Sequence, residues 1–238
     1  MKKTVILIHG YLTDFHDFNH LPKKLIKDYD YVVMIDLPGH GKYQDIKKFT
    51  VDATIEKVES EVEFYLKKGH VDIIGYSMGG ALSRYLSIKY PEINKVVLLA
   101  PATRYLTIFF PLERAKYIFK EKDKDLIKSK IKEVKEHDDF SFAVFKSSPL
   151  KKFNLVNGYV FCKLIYTINR IKLKNKRPTL IIMGGLDELV PASSGRFCYK
   201  NCTSDDKELY IINNIGHIML RSKEEDVIIN KIIEFLNK

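Results

Sequence analysis

Six short apolar runs, each rich in β-branched residues, recur along the chain and are separated by segments of helical character. They are Thr4–Ile8, Tyr31–Leu37, Val71–Gly75, Lys95–Ala100, Thr179–Met183 and Glu208–Ile212. A continuous apolar run is typical of a strand that is buried on both faces, as in a parallel sheet. Their alternation with helices predicts an α/β fold with a doubly wound, mostly parallel sheet of about six strands.

Four segments near these runs have the apolar spacing or the boundary residues of helices. They are Leu21–Lys27, Val51–Lys68, Ala81–Lys89 and Lys223–Leu236. Thr50 and Ser222 are the expected N-caps of the second and the fourth, because a side-chain oxygen there can accept a free N–H of the first turn. The predicted buried side of the fourth consists of Val227, Ile228, Ile232 and Phe235.

The interval 101–177 contains no strand-like run. A structureless loop of that length is uncommon inside a compact domain, and the local patterns are helical instead. Ile127, Ile131 and Val134 have helical spacing within Lys122–Glu136, and Val156–Ile168 is largely apolar. We therefore predict a helical cap at residues 101–177, inserted into a core formed by residues 1–100 and 178–238.

The segment GYSMGG at residues 75–80 carries the clearest chemical signal. It follows the third apolar run and precedes the third helix, which is the context of a G-x-S-x-G nucleophile elbow. Such a turn strains the serine backbone, and Gly75, Gly79 and Gly80 remove side chains that would clash there. Ser77 is therefore the predicted nucleophile, and an incidental serine in a glycine-rich turn is the alternative.

A serine hydroxyl becomes an effective nucleophile when a base accepts its proton. His217 lies just after the last strand run, where a loop would bring it to the carboxyl edge of the sheet, and Asp187 follows the fifth run in the same way. The chain order Ser77, Asp187, His217 is the one expected for a catalytic triad on a strand–turn–helix elbow.

The remaining histidines and carboxylates fit these roles less well. His9 and His40 also adjoin glycines, but both precede the nucleophile and belong to other loops. Glu188 is expected to point away from the position of its neighbour Asp187. The polar turn with Asp205 and Asp206 comes before a strand, which is the wrong edge of the sheet.

An oxyanion formed at the serine needs two donors. The backbone N–H of Met78, directly after the nucleophile, is one candidate, and that of Tyr11, in the loop after the first strand, is the other. Gly10 leaves this loop room to approach the nucleophile. The Tyr11 ring either lines the pocket or has a purely structural role.

Together these elements resemble the α/β-hydrolase fold superfamily. The matching segments are His9-Gly10-Tyr11, Asp36–Gly41, the elbow at Ser77, Gly184–Pro191 and Gly216-His217. The resemblance is strongest to small bacterial carboxylesterases and monoacylglycerol lipases, which similarly carry a helical cap. It implies acyl transfer from an ester to water, with no metal and no organic cofactor. The superfamily's sheet usually begins with two further strands, and their absence is expected because the His-Gly strand starts at residue 4.

The expected substrate is a small-molecule carboxylic ester with a short-to-medium acyl chain. A monoacylglycerol lipase, lysophospholipase or thioesterase would use the same triad, because a fold does not fix its substrate. An aminopeptidase is less favoured, since the residues around Ser77 do not resemble those of proline-releasing relatives. A non-catalytic hydrolase-fold scaffold is also less favoured, because such proteins usually lose a triad member.

The net charge is +10, from 40 Lys and Arg against 30 Asp and Glu. The stretch from Phe140 to Leu186 has nine basic residues and no acidic one, so it holds most of the excess. A basic, partly apolar cap suits an anionic membrane surface or acidic substrates, and a solvated lysine-rich surface is the alternative. Nucleic-acid binding is not expected, because no arginine- and aromatic-rich basic module is present.

The three cysteines, Cys162, Cys198 and Cys202, are too few and too isolated for a disulfide framework or a zinc site. No apolar run approaches the roughly 20 residues of a membrane helix. The N-terminal run is too short for a secretory signal. A reduced, cytoplasmic setting is therefore expected.

Overall fold

A computed structural model of the chain describes residues 1–43, 45–103, 155–187 and 189–238. The predicted helix Lys122–Glu136 lies outside the described residues, as does Glu188. The division into a core and a cap at residues 101–177 remains a prediction.

All six apolar runs form strands. These are β1 (Lys2–Ile8), β2 (Tyr31–Ile35), β3 (Gly69–Tyr76), β4 (Val96–Leu99), β5 (Thr179–Gly184) and β6 (Lys207–Ile212). They form one sheet in the order β2-β1-β3-β4-β5-β6, and every neighbouring pair is parallel. The predicted parallel sheet is thus confirmed. In the part of the chain that the structure describes, the sheet ends at β2 and lacks the superfamily's two further strands.

Helices cover both faces of the sheet, as a doubly wound fold requires. One face carries α1 (Leu21–Leu25) and α6 (Glu225–Asn237), and the other carries α2 (Val51–Leu66), α3 (Met78–Lys89), α4 (Leu155–Asn169) and α5 (Ala192–Lys200). Strand β1 shows why both faces are covered. Its Ile6 and Ile8 pack into one apolar layer, and its Val5 and Leu7 pack into the other. Successive side chains of a strand point to opposite faces, so a continuous apolar run needs cover on both.

The predicted N-cap of α2 is confirmed, and that of α6 is wrong. The Thr50 hydroxyl accepts a first-turn N–H of α2 at 3.2 Å. Helix α6 begins at Glu225 and Glu224 occupies its cap position. The Ser222 hydroxyl accepts the Glu224 N–H at 3.2 Å, so it closes the turn before the helix instead of capping it.

Two further details of the helices differ from the sequence-based expectation. Helix α3 begins at Met78, ahead of the expected Ala81, because the elbow turn leads directly into the helix. Val227 is 46% exposed, whereas its neighbours Ile228 and Ile229 are buried. The apolar stripe of α6 that faces the sheet is therefore rotated by about one position.

The topology decides where a site can form. Strand β1 lies between β2 and β3, so the chain leaves its carboxyl end toward one side and the carboxyl end of β3 toward the other. Such a switch point opens a crevice at the carboxyl edge of a parallel sheet. The loops after β1, β3, β5 and β6 all reach this edge. No helix among the described residues is long and apolar enough to cross a bilayer.

Candidate active site

Ser77 lies between β3 and α3 with a backbone φ of 53° and ψ of −113°. Non-glycine residues rarely adopt a positive φ, and the surrounding structure must hold them there. The Ser77 N–H donates to the Leu99 carbonyl at 2.8 Å, and its carbonyl accepts the Ala102 N–H at 2.9 Å. Leu99, the last residue of β4, and Ala102, which follows shortly after it, thus hold the strained turn at the serine.

The glycines of the elbow are required by close backbone packing. A Cβ on Gly79 would lie 1.8 Å from the Ile8 carbonyl oxygen, and one on Gly75 would lie 2.2 Å from the Gly79 oxygen. A Cβ on Gly80 would lie 2.9 Å from Pro101 Cα. Helix α3 therefore starts in direct contact with the ends of β1 and β4, and a side chain at these positions would displace it.

His217 and Asp187 form a buried pair at the same edge of the sheet. His217 Nδ1 lies 2.8 Å from Asp187 Oδ2, with the Asp187 side chain fully buried. The other carboxylate oxygen accepts the N–H groups of Leu189 at 2.9 Å and Val190 at 2.7 Å. The carboxylate is thus held as an acceptor for a proton on Nδ1, which makes Nε2 the basic nitrogen of the ring.

Tyr76, the residue before Ser77, ties the histidine loop to the elbow. Its hydroxyl donates to the His217 carbonyl, and the two rings are 5.4 Å apart. A Cβ on Gly184 would lie 2.5 Å from the Gly216 oxygen, so the same loop also packs tightly on the end of β5. Sequence reasoning missed Tyr76 because it occupies a variable position of the elbow motif. The available signal was that a buried tyrosine hydroxyl needs a partner.

The loop after β1 reaches the nucleophile. A Cβ on Gly10 would lie 3.3 Å from Ser77 Cβ, so this loop packs directly against the elbow. Tyr11 follows Gly10, and Met78 opens α3, where the first-turn N–H groups have no partner within the helix. The Tyr11 ring stacks on Phe161 of α4 with centroids 4.6 Å apart. The ring thus has a packing role between the loop and α4.

His9 is a structural residue. It is fully buried, and its Nε2 accepts the Leu37 N–H at 3.2 Å. The proton therefore sits on Nδ1, which donates to the Gly10 carbonyl at 2.8 Å. Burial lowers the pKa of His9 below its usual value, so the ring stays neutral in the fold. Three other histidines, His16, His20 and His70, are exposed.

Asp17 is a second residue near the site that sequence reasoning missed. Its carboxyl group is buried and accepts the Gly10 N–H at 2.8 Å and the Thr13 hydroxyl at 2.5 Å. Its only sequence signal is a carboxylate directly before an aromatic residue, Phe18, in the loop that follows the His-Gly turn.

Within the described ranges, no group of three or more His, Cys, Asp and Glu residues is arranged to hold a metal ion. Cys198 and Cys202 are buried free thiols, and burial raises the pKa of Cys198 to about 11. A buried thiol with a raised pKa is a poor nucleophile at neutral pH.

Comparison with known families agrees with this arrangement. A family model described as serine aminopeptidase, S33, matches residues 1–224. The chain belongs to this family of α/β hydrolases.

Relatives of this S33-family chain include named ester hydrolases. A thermostable monoacylglycerol lipase of Bacillus sp. strain H-257 is 24% identical over 243 residues, covering 98% of this chain and 90% of the lipase. A pimeloyl-[acyl-carrier protein] methyl ester esterase of Neisseria meningitidis is 30% identical over 105 residues, covering 44% of this chain and 38% of the esterase. The crystal structure of Paleococcus ferrophilus monoacylglycerol lipase has the same fold, with a TM-score of 0.70, 19% identity, and coverage of 98% and 93%.

Proposed function

We propose that this ester hydrolase cleaves carboxylic esters of short-to-medium acyl chain through a Ser77-His217-Asp187 acyl-enzyme mechanism. The observation that carries the proposal is the buried pair of His217 and Asp187, 2.8 Å apart, at the sheet edge where Ser77 occupies a strained turn. The lipase and esterase names of the relatives support an ester as the bond that is cleaved.

In this mechanism Ser77 Oγ attacks the ester carbonyl carbon while His217 Nε2 accepts the hydroxyl proton. Asp187 orients the ring and stabilises the imidazolium that forms. The N–H groups of Tyr11 and Met78 stabilise the oxyanion, and removal of one such donor typically slows a reaction about 10²- to 10³-fold. His217 then protonates the leaving alcohol, the acyl–Ser77 ester forms, and a water activated by His217 hydrolyses it.

The first test is Ser77→Ala. The variant should fold as the wild type does and lose at least about a thousandfold in kcat, because the acyl-enzyme cannot form. Hydrolysis of a series of p-nitrophenyl esters measures the loss, and a fluorophosphonate label followed by mass spectrometry identifies the reactive residue. Retained hydrolysis in the variant, or labelling at another residue, would refute the assignment.

A wider panel of substrates separates the ester hydrolase activities from one another. Rates that peak at short-to-medium chains support a carboxylesterase, whereas a peak with micellar monoacylglycerol supports a lipase. Thioester substrates test for a thioesterase, and lysophospholipid substrates test for a lysophospholipase. The family's description as serine aminopeptidase makes a peptidase the second candidate. An aminoacyl p-nitroanilide that is cleaved faster than every ester would favour it.

We further propose that the outer face of α4 contacts an anionic membrane surface. Val156, Tyr159 and Tyr166 on this face are 69%, 68% and 64% exposed, and their spacing places them on one stripe. Lys163 and Arg170 are exposed beside them, and Phe140–Leu186 has no acidic residue. Tyrosines and basic residues around apolar groups are the usual composition of an interfacial helix. A cytoplasmic setting, supported by three free thiols, completes the proposal.

A further inference from the structure

The loop that carries Tyr11 is held by a buried carboxyl group. Asp17 lies in the short helical turn Phe15–Phe18 and is 9% exposed. One oxygen, Oδ2, accepts both the Gly10 N–H at 2.8 Å and the Thr13 hydroxyl at 2.5 Å. Both donors lie in residues 10–13, so the carboxyl group closes this loop on itself.

This burial requires compensation by hydrogen bonds. No Lys or Arg forms a salt bridge with Asp17 in the part of the chain that the structure describes. Burial raises the pKa of Asp17, and the hydrogen bonds from Thr13 and Gly10 oppose that rise. A buried carboxyl group is costly unless it is hydrogen-bonded, so these two bonds account for its presence in the fold.

The loop is strained and lies directly against the nucleophile. Leu12 has a φ of 60°, in the left-handed region that non-glycine residues adopt only when neighbouring contacts hold them. A Cβ on Gly10 would lie 3.2 Å from Asp17 Oδ2 and 3.3 Å from Ser77 Cβ. The space beside the Gly10 Cα is therefore bordered by both the carboxyl group and the elbow.

We propose that Asp17 is a positioning residue for the oxyanion hole. It fixes Gly10 and Thr13, and thereby aims the intervening Tyr11 N–H at the site where the oxyanion develops. This inference rests on the proposed function, in which Tyr11 is one of two backbone donors. A small displacement of a donor weakens the stabilisation of the transition state more than the binding of the substrate.

The test compares Asp17→Ala with Asp17→Asn and with a matched control. The amide introduced by Asp17→Asn keeps a carbonyl oxygen that can accept from both Gly10 and Thr13, so this variant should retain activity within about threefold. Asp17→Ala should lower kcat for a p-nitrophenyl ester about 10- to 100-fold, part of the effect of losing one donor, with KM changed less than about threefold. The control is Asp14→Ala, because the Asp14 side chain caps the same turn through the His16 N–H at 2.9 Å, whereas the Gly10 N–H donates to Asp17.

A second readout separates positioning from general destabilisation. The inhibition constant of a trifluoromethyl ketone, which mimics the tetrahedral intermediate, should rise by the same factor as kcat/KM falls in Asp17→Ala. Thr13→Val removes one of the two bonds and should show a smaller loss of the same kind. If Asp17→Ala does not fold, the kcat and the inhibition constant of Thr13→Val test the inference instead.

Three results would overturn the inference. In the first, Asp17→Ala changes KM alone and leaves kcat unchanged. In the second, Asp17→Asn loses as much kcat as Asp17→Ala. In the third, Asp14→Ala lowers kcat as much as Asp17→Ala does. The proposed function would survive all three, provided that the wild type hydrolyses esters and is labelled at Ser77. A wild type without esterase activity would instead refute the proposed function.

Discussion

Contacts between individual backbone atoms hold Ser77 in its position. Hydrogen bonds with Leu99 and Ala102 hold its φ at 53°, and close packing at Gly75 and Gly79 leaves no room for a Cβ at either glycine. The sequence predicted the elbow because a tight turn between a strand and a helix needs glycines at fixed offsets from the serine. It did not predict the supporting contacts of Tyr76 and Asp17, because their hydrogen-bond partners come close only in the folded chain.

The burial of His9 predicts how the stability of the fold depends on pH. The pKa of His9 in the fold is below the ordinary 6.5, so the unfolded chain binds a proton at this ring first as the pH falls. The free energy of unfolding should therefore decrease below about pH 6.5, by at most ~1.4 kcal/mol per pH unit for this group. His9→Asn should be less stable than the wild type at pH 7 and lose less stability between pH 7 and pH 5. Urea unfolding at several pH values measures both slopes, and equal slopes would contradict the prediction.

Helix α4 is the element with two distinct faces. Phe161, Leu164 and Ile168 are buried toward the core, and Phe161 stacks on Tyr11 of the loop beside the nucleophile. The opposite face carries exposed Tyr159 and Tyr166. One helix thus carries exposed tyrosines on one face and, on the other, a contact with the loop beside Ser77.

The membrane proposal is tested on this helix. Wild-type protein should sediment with vesicles that contain phosphatidylglycerol, and Lys163→Gln/Arg170→Gln should bind about tenfold or more weakly, because each basic residue near an anionic surface contributes about 1 kcal/mol. Tyr159→Ser/Tyr166→Ser should also weaken binding, through the loss of apolar burial.

The matched control removes two exposed charges from the other face of the sheet. Lys23→Gln/Lys24→Gln, on α1, should leave vesicle binding unchanged. Hydrolysis of a soluble ester by all variants verifies that they are folded. Equal binding to neutral vesicles, or equal loss in the α1 control, would refute the proposal.

At the scale of the whole molecule, the two ends of the sheet have different tasks. The loops at the carboxyl ends of the strands carry Ser77 and the hydrogen-bonded pair of Asp187 and His217. Near the amino ends, buried Asp72 accepts the Tyr29 hydroxyl at 2.7 Å, the Asn94 amide at 2.9 Å and the Lys95 N–H at 2.9 Å. This carboxylate joins the segments that lead into β2 and β4 to β3, so it holds the sheet far from the chemistry.

Asp72→Ala should therefore destabilise the protein without altering its catalysis. The change leaves three donors without their acceptor, and we expect a loss of about 3 kcal/mol in the free energy of unfolding. The kcat per folded molecule should equal that of the wild type, and Asp72→Asn should recover part of the stability. Urea denaturation and ester hydrolysis measure the two quantities. A fall in kcat at unchanged stability would contradict this division of tasks.

The sequence by itself determined the six strands, their parallel direction in the sheet and the candidate residues Ser77, Asp187 and His217. Continuous apolar runs indicate burial on both faces, and glycine offsets and chain order are local features that need no knowledge of distant contacts.

The tertiary structure alone decided the supporting contacts. Tyr76 and His217 are 141 positions apart in the chain, and their hydrogen bond exists because β3 and β6 end at one edge. The buried stripe of α6, which excludes Val227, was likewise decided by the angle at which the helix lies on the sheet. Asp17 is close to Gly10 in sequence, but its proposed role depends on the elbow, which packs against Gly10 only in the folded chain. Such contacts depend on how the chain closes, because hydrogen bonds and close packing act over a few ångströms whereas sequence patterns record only local preference.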